Sequence, residues 1–370
     1  MLRAYSKFLS PDASPAYKAV PLDDTDAAPP TWRAHSRRRE WFCRGLYLIF
    51  GGLVGAIICG SIVSSILLHR FYNPVGHYQD INPFPVVANS TPKPESRAIV
   101  TALYTDDFAL SVATLGQSLT ALNITERRIV IYIAAHLSPR ALCIVAAAGW
   151  EAVAVPRIPP PHAGAGVLPH WIDQFTKLNI WGLDALGVDV LLYLDGDALV
   201  LSRFDELWAL PYAFAAVPDV YRGREGFTLG FNAAVLLVRP ARAVLADMRA
   251  QLETADFRAT EAEQAFLNVY WAPHALRLPY IYNGNLAIKA VAPRVWAALQ
   301  PELRVVHYTV VKPGAFLSDA PGVPWRENWD ASIAWAAEVE GGAYREEIGW
   351  WADAWHDLMD QKFDTLDICS

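Results

Sequence analysis

The chain has 370 residues, 53% of them hydrophobic and 19% charged, with a formal net charge of −7. That balance excludes a mainly disordered chain, and 22 glycines with 4 cysteines exclude a collagen-like or disulfide-scaffold protein. The acidic excess argues against a protein that lives by neutralising phosphates, so no nucleic-acid partner is expected.

Residues 1–45 are rich in Pro, Ala and charge, without sustained apolar periodicity, and read as a tail. Residues 46–68 (LYLIFGGLVGAIICGSIVSSILL) follow, 23 residues without a charge. At 1.5 Å per residue they make about 34 Å of helix, enough to cross a hydrocarbon core of roughly 30 Å. A signal peptide fits poorly, because 45 residues precede the run and it exceeds the usual length of roughly 7–15. Arg37, Arg38, Arg39 and Arg44 lie before the span, and only His69 and Arg70 follow closely. Positive-inside bias therefore predicts a type II signal anchor with a cytosolic tail and the remainder in the lumen of the secretory pathway, the Golgi being the expected compartment. The first 44 residues carry a net +3, leaving −10 for the rest. Cys43 and Cys59 sit beside or inside the span, Cys43 reading as an inert thiol or a palmitoylation site. Cys143 and Cys369 are free to pair in an oxidising lumen, and the sequons at Asn89 and Asn123 fall on the same side.

Residues 69–96 hold Pro74, Pro83, Pro85, Pro92 and Pro94 and read as an extended stem. The globular part begins near Arg97. Strands are predicted over 98–104, 128–134, 151–155 and 188–194, with helices over 108–122, 138–148 and 172–186 between them. Ser138 is placed to cap the second of these helices, and the Pro- and Gly-rich stretch 156–169 reads as a loop. Such alternation implies an α/β fold, a largely parallel sheet covered on both faces, with ligands beyond the C-terminal strand ends. Further on, 213–218, 231–238 and 303–308 look like strands, and 241–253 and 261–270 like helices. Six of the 14 tryptophans lie between Trp325 and Trp355. Over 343–363, Ile348, Trp351, Trp355, Leu358 and Met359 form one helical stripe, either a cap on the core or an aromatic platform for a sugar ring.

Asp195-Gly196-Asp197 ends an apolar strand in the context LLYLDGDALVL. Two carboxylates this close repel unless a cation neutralises them, and carboxylate oxygen suits Mg, Ca or Mn. Side chains alternate on a strand, so a turn at Gly196 is required for the two to converge.

LLYLDGDALVLSRFDELW resembles the D-x-D segment of glycosyltransferase family 8, the glycogenin-like retaining enzymes. TALYTDDFALSVATLGQSL, TKLNIW, GFNAAVLLVRP, EAEQAFLNVYW, LPYIYN and VVHYTVVKP resemble further blocks of that family in the same order, over residues 98–313. The resemblance implies a GT-A fold over 97–315, a Trp-rich helical extension over 316–370, a UDP-sugar donor and a Mn²⁺ held by Asp195, Asp197 and His307. It places Thr101, Leu103, Asp106 and Phe108 along the nucleotide, and Lys177, Gly196, Asn283 and Lys312 at the donor sugar or phosphates. Gln264, Glu263 and Asn232 then take the positions nearest the reacting carbon. The expected activity is transfer of a hexosyl unit to a glycan, glycolipid or glycoprotein acceptor. The alternatives are a membrane-tethered scaffold and a nucleotidyltransferase; TALYTDDFAL offers no Gly-rich basic loop for the latter. Several positions depart from the family pattern: Glu263 stands for its Asp, Ala233 and Ala234 for Ser-Gly, Val310 for a Gly, and Gly314 for the Trp after Lys-Pro. The interval from His307 to Lys312 is also one residue shorter.

Overall fold

A computed structural model describes residues 32–71, 92–223, 225–271, 274–314 and 325–369. Residues 1–31 of the expected tail (1–45), residues 72–91 of the expected stem (69–96) with its sequon at Asn89, and residues 315–324 lie outside the described residues. The chain divides into two compact units, Met1–Tyr72 and Asn73–Ser370.

The first unit contains helix α1 (Trp32–Phe71). Its stretch Arg44–Ser64 has a mean hydropathy of 2.3 and is long and apolar enough to cross a membrane. Leu48, Ile49, Phe50 and Ile57 are all exposed, an arrangement that water does not tolerate over so many neighbours.

In the second unit, strands β1 (Arg97–Leu103), β2 (Arg127–Tyr132), β3 (Glu151–Ala154) and β4 (Val190–Leu194) alternate with helices α2 (Ala109–Ala121) and α3 (Pro139–Ala147). Ser138 caps α3 by accepting a hydrogen bond from Ala141 N at 3.2 Å. The segment expected as a helix before β4 is instead a tighter 3₁₀ run, Gln174–Leu186, closed by Gly187 at φ 76°. Strands β6 (Phe214–Val220), β7 (Phe227–Val238) and β8 (Leu276–Arg277) complete a seven-stranded sheet ordered β3-β2-β1-β4-β7-β6-β8. The pairings leave β7 alone running against the other six. The sheet is therefore mostly parallel, and it is the α/β GT-A architecture that the resemblance implied.

Alternation along the strands separates two cores. Ile99, Leu103, Val130 and Leu192 face one side, with α2, α3 and the C-terminal helices α8 (Trp325–Glu338) and α9 (Arg345–Ile368). Val100, Ile129, Leu191 and Tyr193 face the other, with the 3₁₀ run and helices α4 (Arg242–Gln251) and α5 (Ala262–Trp271). Trp351 and Trp355 of α9 are wholly buried, so the tryptophan stripe caps the core and presents no platform to a sugar. Cys143 in α3 and Cys369 after α9 form a disulfide.

A second, three-stranded sheet joins β5 (Ala198–Val200), β10 (Val305–His307) and β9 (Gly284–Asn285) in the order β5-β10-β9. It carries the far side of the site.

Candidate active site

Strand β4 is buried at all five positions. It delivers Asp195, whose amide donates to Ala234 O of β7 at 2.9 Å. The chain then turns, Ala198 N donating to Asp195 O at 3.0 Å, and leaves as β5 in the other sheet. At Gly196 a Cβ would lie 3.0 Å from Val112 Cγ2 of α2, so the turn leaves little room there for a side chain. Antiparallel pairing of β5 with β10 sets His307 opposite Ala198, one residue past Asp197. Two residues 110 apart in sequence are thereby fixed by strand register. Ligand atoms of Asp195, Asp197 and His307 lie within 4.8 Å of one another.

The two aspartates have different companions. Asp195 Oδ1 accepts from Tyr193 Oη at 2.7 Å and lies 3.1 Å from Lys177 Nζ. Lys177 also meets Glu263 Oε1 at 2.7 Å and donates to Ala233 O at 3.2 Å, so its three protons are all engaged. Its side chain is 2% exposed. Burial opposes the ammonium, but the Asp195 and Glu263 carboxylates outweigh it and hold Lys177 charged, above the ordinary lysine value. Asp197 is met by His307 Nε2 at 3.4 Å and by the Lys312 ammonium. Burial works against this carboxylate as well, yet Lys312 and His307 hold it well below the usual carboxylate range. The Lys312 side chain remains 32% exposed.

The predicted amides also converge. Asn232 Nδ2 donates to Gln264 Oε1 and to Asp219 Oδ1, each at 3.2 Å. Asn283 Nδ2 donates to Asn232 Oδ1 at 3.0 Å. Gln264 Oε1 accepts from Ala233 N at 3.0 Å, and its Nε2 donates to Asp219 Oδ2 at 2.8 Å and to Tyr221 Oη at 3.2 Å. Asn285 Nδ2 reaches Asp219 Oδ1 at 3.3 Å and its Oδ1 accepts from Thr309 Oγ1 at 2.6 Å. Asp219 is thus the hub of the cluster. Burial raises its pKa above the ordinary aspartate value, against the lowering effect of Val220 N, Asn232 and Gln264. Asp219, Tyr221 and Asn285 escaped sequence reading. The signal was there for Asp219, a carboxylate inside the apolar strand AFAAVPDV, the feature that singles out Asp195. Pro218 removes a ladder donor, and the β6–β7 pairing is irregular on either side of it.

Four predicted residues sit on or just beyond β1. Thr101 and Leu103 are wholly buried within the strand. Asp106 and Phe108 form the turn into α2, and Asp106 Oδ1 accepts from Ser138 N at 2.9 Å, which turns that carboxylate toward α3. Phe108 packs on the core beneath.

Several buried polar atoms are unpartnered: Thr101 Oγ1, Tyr104 Oη, Asn283 Oδ1 and His307 Nδ1. Such groups are costly unless something satisfies them. Tyr104 is of particular interest, because burial and then the Glu263 and Asp195 carboxylates keep its hydroxyl from ionising.

No family model matches the chain. It is 25% identical over 284 residues to UDP-glucuronate:xylan alpha-glucuronosyltransferase 2 of Arabidopsis thaliana, covering 74% of this chain and 43% of that protein. It is 27% identical over 187 residues to glycogenin of Neurospora crassa, covering 50% of this chain and 24% of that protein. The chain spans less than half the length of these curated relatives. Among solved structures, the galactosyltransferase LgtC in complex with donor and acceptor sugar analogs is similar, with a TM-score of 0.44 and 20% identity, covering 64% of this chain and 95% of that one. The relatives are glycosyltransferases, among them the glycogenin that the motif blocks resembled.

Proposed function

We propose that the chain is a Mn²⁺-dependent retaining glycosyltransferase that moves a hexosyl unit from a UDP-sugar to a glycan, glycolipid or glycoprotein acceptor. The observation that carries this reading is the convergence of Asp195, Asp197 and His307 within 4.8 Å, with Lys312 beside Asp197. Two carboxylates and an imidazole form a donor set that suits Mn²⁺, and the imidazole turns Nε2 toward Asp197 at 3.4 Å. A metal held there supplies Lewis-acid neutralisation of the diphosphate.

The chain's own residues do the rest. Lys312, half-open to solvent, leaves Asp197 to meet phosphate charge as the donor binds. Asn232, Gln264 and Asn283, held by one another and by Asp219, present amides to sugar hydroxyls. Glu263 is tied to Lys177 at 2.7 Å, which disfavours it as a covalent nucleophile. Retention then follows from attack on the donor face: the bond from anomeric carbon to phosphate oxygen breaks, the bond to the acceptor oxygen forms, and the acceptor proton passes to the departing phosphate.

The decisive experiment measures hydrolysis of UDP-glucose, UDP-galactose, UDP-N-acetylglucosamine and UDP-glucuronate with and without Mn²⁺. Turnover of one donor is expected, lost on metal removal and in Asp197→Ala. A fully active Asp197→Ala enzyme would overturn the reading.

We further infer a luminal catalytic unit anchored by α1. The Cys143–Cys369 disulfide belongs to an oxidising compartment. Asn123 of the Asn-Ile-Thr sequon is exposed at φ 52° in the turn after α2. In a strand–helix–strand unit that turn lies at the N-terminal strand ends, away from the site, so a glycan there leaves the site open. In an Asn89→Gln background, a peptide N-glycosidase-sensitive mass shift abolished by Asn123→Gln is expected. Absence of any shift, with a C-terminal tag digested in intact microsomes, would place the domain in the cytosol instead.

A further inference from the structure

Helix α9 carries a carboxylate with no exposure at all, Glu347. Lys289 Nζ donates to both of its oxygens at 2.8 Å, and Trp296 Nε1 donates to Oε1 at 2.9 Å. These partners belong to helices α6 (Ala287–Val291) and α7 (Pro293–Leu299). A buried ion pair of this kind contributes little net stability against an apolar alternative, but it fixes a geometry, since either partner alone is strongly disfavoured. What it fixes is the backbone at residue 347, because Glu347 O accepts from Tyr308 Oη at 2.6 Å. Tyr308 is wholly buried and its ring meets Trp351 edge-on at 5.0 Å.

Tyr308 immediately follows His307. Its amide donates to Asp197 O at 3.1 Å. One residue thus ties the C-terminal helix, the D-x-D turn and the β10 histidine together. A second tie lies beyond Lys312. Gly314 has φ 80°, and a Cβ there would stand 2.3 Å from the Trp329 indole of α8. The glycine found in place of the family's tryptophan is what lets Trp329 pack against this backbone.

We propose that Tyr308 and Glu347 are positioning residues through which the α8–α9 extension sets the placement of His307 and of the Asp197 backbone, and hence the affinity of the site for a divalent metal with UDP. The proposal rests on the glycosyltransferase reading above. It predicts that an element making no contact with the metal tunes metal binding.

The test uses the full chain in detergent. Mn²⁺ binding in the presence of UDP is titrated by the loss of free-Mn²⁺ electron paramagnetic resonance signal, and thermal unfolding is measured alongside. Tyr308→Phe, which deletes only the hydroxyl, should weaken Mn²⁺ binding about five- to tenfold, the scale of one buried hydrogen bond, while unfolding remains cooperative. Glu347→Gln, which keeps the shape of the side chain but leaves Lys289 without its counter-charge, should move Mn²⁺ affinity in the same direction with a larger drop in Tm. Wild-type Mn²⁺ affinity in both variants with only a lowered Tm would overturn the proposal and leave Tyr308 a core residue. His307→Ala serves as the control for the premise. If it too binds Mn²⁺ like the wild type, the metal site itself is elsewhere and the proposal falls with it.

Discussion

The two aspartates of Asp195-Gly196-Asp197 are separated by one residue and live in opposite regimes. Asp195, its own side chain 26% exposed, meets Lys177, which is 2% exposed and bonded to three acceptors. Asp197 faces the smaller sheet, where its cation is Lys312, on a side chain 32% exposed. The first pairing is internal and complete. The second can be exchanged, because a lysine half in water can rotate away with little loss. The difference teaches that a carboxylate pair can be neutralised in two ways. Both halves are kept ionised for the metal, one by a lysine that stays in place and the other by a lysine that can leave when a ligand arrives.

The comparison breaks if both halves respond alike. Lys177→Met removes the only cation bonded to Glu263 and Asp195 among the described residues. Breaking one partner of a buried charge network costs about 3–5 kcal/mol, so chemical denaturation should show a loss of that order, with no surviving donor turnover. Asp197→Asn should invert the balance, costing only about 1–2 kcal/mol of folding stability because Lys312 finds water instead. Mn²⁺–UDP binding should nevertheless be lost, as calorimetry would detect. Equal stability losses in the two variants would mean that both lysine–aspartate pairs are equally structural.

Acid titration sharpens it further. Asp197 has a folded-state pKa below its unfolded value, so its contribution is present above about pH 4 and is lost as pH falls below that value toward the folded one. Wild-type stability should therefore drop more steeply than that of Asp197→Asn between roughly pH 4 and 2, by on the order of 1–2 kcal/mol. Parallel stability curves for the two proteins would mean that Lys312 and His307 do not favour the charged form.

How much of this was legible in the sequence depends on how far each residue's partners lie along the chain. Strand β4 is an uninterrupted apolar run and β1 and β2 are apolar apart from Thr101 and the arginines that open them, so their positions followed from local pattern. Asp195 and Asp197 stood out because charge at the end of such a run needs a reason. His307 and Lys312 were legible only through resemblance, since nothing local announces that β10 pairs with β5. The reversal of β7 was illegible for the same cause: antiparallel and parallel buried strands have the same apolar pattern. Asp219 was missed although its context is as anomalous as that of Asp195, because a Pro-Asp pair also reads as an ordinary turn. The 3₁₀ run over 174–186 has the apolar spacing of an α-helix, and its tighter winding is a product of packing.

The smallest predicted effect concerns Ala262, the residue before Glu263 and Gln264. It adopts φ 47° and ψ −134°, a region that belongs to glycine. A Cβ there costs about 1–3 kcal/mol of local strain, maintained by the surrounding packing. Packing on both sides is evident, since Ala262 is buried and the helix that follows inserts Phe266, Leu267 and Tyr270 into the core. Ala262→Gly should relieve the strain while adding about 0.4–1 kcal/mol of unfolded-state entropy. The net gain is then about 1 kcal/mol, a rise of a few degrees in Tm for a domain of this size. The glycine also frees the backbone that aims Gln264 at Asn232 and Asp219. Turnover should therefore stay level or fall while Tm rises, whereas a Gln264→Ala variant should lose turnover at little cost in Tm. If Ala262→Gly instead lowers Tm, the methyl group contributes more in packing than its conformation costs, and the strained turn before the amide cluster is held by contact rather than endured.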